Sequence, residues 1–265
     1  MGFCIKGNFS GSLCLNFHEP LSNIVVKVYL PEESIANNRK TKYTFEILKD
    51  EAVKKKNKLL LGLGKTDASG NYEIKLSDQY KGGPVAFDIE VTEVPNQKVK
   101  ITKKIQFTVT TLQPVWKEVD GESHYSWHYC LPYHFWGGIR TAFDAWLICG
   151  HVKSSSDNRT PIAGAKVSAY DSDWIKDDLL GTVSTDSSGY FRIDYSSIDF
   201  KQTFLSPLVN VETPFSAIPG PGVYFKVVSH EGIMLYEEGK SDGKKMSRLN
   251  IPNCFGIELY VDCNA

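Results

Sequence analysis

A gapless repeat sets the organisation of this chain. Thr66-Asp67-Ala68-Ser69-Gly70-Asn71-Tyr72-Glu73-Ile74 is matched by Thr185-Asp186-Ser187-Ser188-Gly189-Tyr190-Phe191-Arg192-Ile193. Upstream, Ile5-Lys6-Gly7 corresponds to Ile148-Cys149-Gly150, and Asn23–Tyr29 to Gly164–Tyr170. The blocks recur in the same order, so the 265 residues read as two tandem copies of one domain.

Each copy reads as all-β. Val26 and Val28 alternate with Lys27 and Tyr29, the period-two pattern of a strand with one face inward. Asp67–Gly70 and Asp186–Gly189 are turns, in which Asp bonds backbone two residues on and Gly takes positive φ. Further strands are expected at Val85–Val91, Ile101–Val109, Val223–Val228 and Ile257–Val261. Six or seven short strands in about 115 residues make a β-sandwich. The expected domains are 1–112, carrying a charged insertion near 31–58, and 147–265. An ordered, aromatic-rich linker is expected over 113–146. A short helix is expected over Tyr43–Val53 of the insertion, and the second copy carries a Pro-rich loop holding Pro207, Pro214, Pro219 and Pro221.

The order Ile-x-Gly, then Pro161-Ile162-Ala163-Gly164-Ala165-x-Val167, then Thr-Asp-x-x-Gly-x-Phe-x-Ile resembles the transthyretin-like (prealbumin-like), carboxypeptidase-regulatory-like group of β-sandwiches. The likeness covers most of both copies and is closer in the second. It implies tandem Ig-like sandwiches of a kind that mostly serves as stalks, spacers and binding modules. The group's iron dioxygenases use a Tyr-Tyr-His-His site; this chain has no His-x-His pair, so that activity is not carried over.

Residues 116–146 hold nine of the 32 aromatic residues, four of the five tryptophans and three of the six histidines, unlike a flexible linker. Trp116, Trp127, Trp136 and Trp146 are the candidate interaction residues, either buried as a hinge or exposed as a platform for a partner. Within the run, His124, His128, Cys130 and His134 are candidate ligands for zinc, which accepts mixed imidazole and thiolate. If the run is extended, His124, Ser126, His128 and Cys130 share one face and Tyr125, Trp127 and Tyr129 the other. His128 and Cys130 would then lie about 7 Å apart; if it is helical, His124 and His128 are neighbours. Water or His151 would complete the set. The alternative is ordinary hydrogen-bonded histidines.

Asp171, Asp173, Asp177 and Asp178 form a second candidate set, for calcium on a sandwich edge, although Lys176 intrudes and the preferred reading is Asp caps on a solvated turn. Six cysteines include two locally placed pairs, Cys4 with Cys14 and Cys254 with Cys263. No secretory signal is recognisable, which favours reduced thiols or metal ligands over disulfides. The expectation is a cytoplasmic protein as synthesised, with export, if any, by a route that cleaves no signal peptide. Asn8-Phe9-Ser10 and Asn158-Arg159-Thr160 fit the glycosylation pattern and matter only on a secretory route.

No apolar run approaches the ~18 residues of a membrane span, so no membrane insertion is expected. Residues 1–115 carry seventeen Lys and Arg against twelve Asp and Glu, a net of +5; the remainder carries −6. Such a split suits an intramolecular or head-to-tail contact better than nucleic-acid binding. Gly-x-Ser-x-Gly, His-Glu-x-x-His, Cys-x-x-Cys and phosphate-loop signatures are all missing from the sequence. The preferred reading is a non-catalytic tandem sandwich that binds, spaces or serves as cargo or accessory in a larger, injection-type assembly or a homo-oligomer. A metal-dependent enzyme or toxin effector using the His/Cys run, and a small-ligand or glycan binder, are the alternatives.

Overall fold

The computed structural model describes residues 2–31, 45–156, 159–172, 178–200 and 219–262. It divides into two compact units. Unit one comprises Met1–Ser12, His18–Pro95 and Ile101–Phe135; unit two comprises Leu13–Phe17, Asn96–Lys100 and Trp136–Ala265.

In unit one the strands are β1 (Phe3–Ser12), β2 (His18–Pro20), β3 (Val25–Tyr29), β4 (Leu60–Lys65), β5 (Asn71–Lys75), β6 (Val85–Val91), β7 (Ile105–Leu112), β8 (Lys117–Val119) and β9 (Glu122–Leu131). One sheet runs β2-β1-β9-β8, with β5 beside β1; the other runs β4-β3-β6-β7. Ile5, Phe9, Val26, Val28, Phe87, Ile89 and Phe107 are fully buried on the inner faces. Each contributes about 1.5–3 kcal/mol relative to remaining exposed. Helix α1 (Asp50–Lys56) has its two carboxylates in the first turn and three lysines in the last, each complementing the helix dipole. It lies later in the chain than the expected Tyr43–Val53, whose first two residues fall outside the described set. Lys56 reaches from it to the fully buried Asp88, which also accepts from Gln106 Nε2 at 2.8 Å.

Unit two holds β10 (Trp146–Ser154), β11 (Lys166–Asp171), β12 (Asp178–Ser184), β13 (Tyr190–Tyr195), β14 (Val223–Val228), β15 (Met234–Glu237) and β16 (Cys254–Val261). Its sheets run β13-β10-β16 and β12-β11-β14-β15. Unit one has the same order in β5-β1-β9 and β4-β3-β6-β7. Ile148, Val152, Val167, Phe191, Ile193 and Phe225 form its core with Trp146 and Tyr195.

The repeated residues build the same features in each unit. Gly7 sits where β1 runs parallel to β9: a Cβ there would lie 1.8 Å from the Trp127 carbonyl oxygen. Gly150 does the same between β10 and β16, 1.6 Å from the Ile257 carbonyl oxygen. Asp67 Oδ1 accepts from the amides of Ser69 and Asn71 at 2.8 Å each; Asp186 Oδ1 accepts from Ser188 and Tyr190 at 2.8 and 3.0 Å. Gly70 and Gly189 then take φ of +80° and +74°. Thr66 Oγ1 accepts from the Ile24 amide and donates to the Leu21 carbonyl; Thr185 Oγ1 accepts from Ala165 and donates to Ile162.

The linker expected over 113–146 is divided differently. Residues 117–131 supply β8 and β9, the latter a ten-residue strand paired in parallel with β1. Its aromatic and polar residues alternate because the rings cover unit one's core: Trp127 packs on Phe9 and Phe87, with centroids 5.3 and 4.3 Å away. Helix α2 (Tyr133–Ala142) follows. Phe135, in its first turn, packs on Phe45 and Phe107 within unit one. Trp136, Ile139 and Arg140 are fully buried within unit two, where Arg140 Nη2 lies 3.3 Å from Asp194.

Candidate functional site

The extended alternative holds for the His/Cys run. On β9, Ser126, His128 and Cys130 are exposed, while Tyr125, Trp127 and Tyr129 are half-buried against the opposite face. His124 Nε2 lies 3.7 Å from the Glu122 carboxylate. His134 is exposed in the first turn of α2 beside the Tyr133 ring. The ligand atoms of His124, His128, Cys130 and His134 do not converge. A ten-residue strand spreads them along its length, and Leu131-Pro132 leads into a helix instead of folding His134 back.

Of the four tryptophans, Trp136 and Trp146 are buried and Trp116 and Trp127 half-buried. Trp116 packs edge-on or tilted among Phe3, Tyr80 and Tyr125, and Trp146 does so against Tyr195 and Phe200. They anchor cores rather than forming an exposed platform. Of the acidic set, Asp171 is buried and its Oδ1 accepts from the Gly222 amide at 3.1 Å. Asp178 pairs opposite it in the β11–β12 ladder; Asp173 and Asp177 lie outside the described residues.

Among the described residues, the one place where three metal-ligating atoms of His, Cys, Asp or Glu gather is in unit two. There the Sγ atoms of Cys14, Cys149 and Cys254 all lie within 4.8 Å of one another. Cys14 and Cys254 are joined as a disulfide, with Cα atoms 5.8 Å apart. The Cys149 sulfur is 3.6 Å from that of Cys14, and the Cys14 amide donates to Cys254 Sγ at 3.0 Å. Neither local pairing expected from the sequence forms here. Cys4 is buried in unit one, where its thiol donates to Glu73 and burial pushes its pKa up; Cys263 is outside the described residues. The expectation of reduced thiols differs too, because folding brings together cysteines 240 residues apart.

Two elements present this cluster. Cys14–Asn16 forms a single 3-10 turn in which Leu15 and Asn16 both adopt positive φ, 53° and 61°. Leu15 in that conformation is strained. Gly256 accommodates the turn: a Cβ there would lie 2.3 Å from the Leu15 side chain. The parallel β10–β16 register sets Leu147 beside Cys254 and Cys149 beside Gly256. Nothing in the sequence marks the trio, since its members share no spacing pattern.

Unit two also has an open cleft of about 760 Å³ lined by Asn96, Lys98, Leu180, Thr182, Arg192 and Asp194, among others. Arg192 is paired to Asp194 through two bonds of 2.8 Å, and Arg140 adds a third contact to the same carboxylate. The Arg192 and Asp194 charges lining this cleft are therefore already paired with one another.

No protein-family model matches the chain. No curated protein matches it either. Among solved structures it is similar to the SpaE basal pilin of Lactobacillus rhamnosus GG, at 13% identity, 98% of this chain, 99% of that one and a TM-score of 0.31. It is also similar to GBS52, the minor pilin of Streptococcus agalactiae, at 8% identity, 98% and 94% coverage and a TM-score of 0.24. The Bacillus anthracis TIE protein matches at 12% identity with a TM-score of 0.27; the match covers 98% of this chain but only 34% of that longer one. The chain is an all-β protein built of β-sandwiches, as its own strands and sheet order show.

Proposed function

We propose that the chain is a non-catalytic pair of transthyretin-like sandwiches, two copies of one domain, acting as a protein-binding or spacer module of a larger assembly. The observation that carries this reading is the work done by the repeated motifs. Gly7 and Gly150 permit close parallel pairing, Thr66 and Thr185 tie β3 and β11 to the turns, and Asp67 and Asp186 hold the turns themselves. What the two copies share is thus scaffold, which leaves recognition to surfaces that differ between them. The β9 face with Ser126, His128 and Cys130 is such a surface: its residues are exposed on a rigid strand whose other face is anchored in the core.

A photo-crosslinking residue at position 128, in cells that make the protein, tests this. The expected result is a discrete protein adduct that disappears when Ser126 and Cys130 are both changed to Glu. Stability should shift by no more than about 0.5 kcal/mol, as for other surface substitutions. Failure to form any protein adduct, or an adduct indifferent to the double change, overturns the reading.

A further inference from the structure

We propose that Cys14, Cys149 and Cys254, when reduced, form a three-thiolate site for a thiophilic d10 cation, zinc(II) or copper(I). Oxidation of Cys14 with Cys254 empties the site.

The geometry separates this from simple thiol–disulfide exchange. A thiolate attacks a disulfide along the line of the bond it breaks. Placed in line behind an S–S bond of about 2.05 Å, a sulfur as far away as Cys149 would lie about 5.6 Å from the leaving sulfur. The three sulfurs lie within 4.8 Å of one another, with Cys149 3.6 Å from Cys14, so they form a triangle. A triangle is what a chelated cation requires. With metal–sulfur bonds near 2.3 Å, thiolates around one zinc sit about 3.8 Å apart. The Cys14–Cys149 separation is already close to that value. Only the Cys14–Cys254 pair must open, by side-chain rotation about Cα atoms 5.8 Å apart.

The surroundings suit a thiolate cluster. Cys149 and Cys254 are buried, which excludes competing water, and the Cys14 amide donates to the Cys254 sulfur. Such a bond stabilises the anionic form of a ligating sulfur. Soft thiolate sets select zinc and copper(I) over hard cations. The cluster is an addition to the sandwich rather than part of it. With Gly7 matched to Gly150, and their ladder partners Trp127 to Ile257, the positions of Cys149 and Cys254 fall on Lys6 and His124 in unit one.

The chemistry balances. Binding of zinc(II) displaces three thiol protons to solvent, leaving a site of net charge −1. Discharge transfers two electrons from the Cys14 and Cys254 thiolates to a small-molecule disulfide, which takes up two protons and leaves as two thiols. The Cys14–Cys254 bond forms and the cation departs.

The test uses untagged full-length protein, reduced anaerobically with a dithiol and freed of it before metal is added. Zinc(II) is titrated in competition with a chromophoric chelator, copper(I) likewise, and cobalt(II) replaces zinc as a reporter of thiolate-to-metal charge transfer. One equivalent of zinc or copper(I) should bind with the charge-transfer band present, in wild type and in Cys4→Ser and Cys130→Ser alike. Cys149→Ser, which keeps the disulfide and therefore a folded oxidised reference, should lose affinity by at least about tenfold, the scale on which even outer-shell changes act. The air-oxidised wild type should bind neither ion. Binding undiminished in Cys149→Ser, or no binding to the reduced wild type, overturns the proposal.

Discussion

Replacing Gly150 with Ala is the sharpest test of how the repeated Ile-x-Gly segment builds a sandwich. The new Cβ would lie 1.6 Å from the Ile257 carbonyl oxygen and 2.7 Å from its carbon, both backbone atoms of the neighbouring strand that cannot swing aside. An ordinary carbon–oxygen contact is about twice that distance, so β10 and β16 must separate locally by more than an ångström. At that extension two ladder hydrogen bonds are lost, at about 0.5–1.5 kcal/mol each. The flanking Ile148 and Leu259, both buried, lose packing as well. The total is about 3–5 kcal/mol, the scale of a severe core substitution. Gly83→Ala is the control, since nothing lies within 4 Å of its added Cβ and its φ is not left-handed. Urea denaturation followed by tryptophan fluorescence should show the midpoint of a transition collapse in Gly150→Ala and remain in place for Gly83→Ala. A Gly150→Ala protein within 0.5 kcal/mol of wild type would refute the close-approach argument for Gly7 as well.

Thr185→Val removes both the acceptor for the Ala165 amide and the donor to Ile162 at a buried site; chemical denaturation should register a loss of about 1–3 kcal/mol. Asp88→Ala leaves the Lys56 ammonium with Thr108 Oγ1 but without its buried carboxylate, and removes one of the two acceptors of Gln106 Nε2; it should destabilise unit one by about 3 kcal/mol, with Asp88→Asn recovering part of it. The Asn71 amide holds the Asp67 carboxyl below its ordinary value, and the Ser188 hydroxyl does the same for Asp186. Because these folded-state values are depressed, the stability they contribute is present above the ordinary carboxylate pKa and is lost as pH falls through the folded values. Thermal melts should therefore fall off below about pH 4, and the double Asp67→Asn, Asp186→Asn variant should show a flatter acid limb.

Local pattern and long-range pairing were unequally legible in the sequence. The Asp-x-x-Gly turns and the strands β6 and β14 could be read directly, because an Asx bond, a left-handed glycine and an alternating apolar run act within a few residues. The residues of β9 alternate just as clearly, yet their partner is β1, about 120 residues earlier, and no local cue ties the two. From sequence alone the run therefore reads as a linker carrying ligands. The same limitation hid the cysteine triangle: 135 residues separate Cys14 from Cys149, and only the excursion of residues 13–17 into unit two brings them together.

That excursion imposes a schedule on synthesis. A ribosome adding about 5–20 residues per second releases Cys14 some 12–48 s before Cys254, 240 positions later. About midway through that interval the nascent chain comes to hold every residue of unit one's sandwich, while the segment that belongs to the second still waits for most of its own unit to be made. Cys149, the first of Cys14's two native neighbours to emerge, arrives well before the disulfide partner. A chain in which residues 13–17 docked early against the wrong strand would thus present Cys254, already seated beside Leu147, with no Cys14 to pair with.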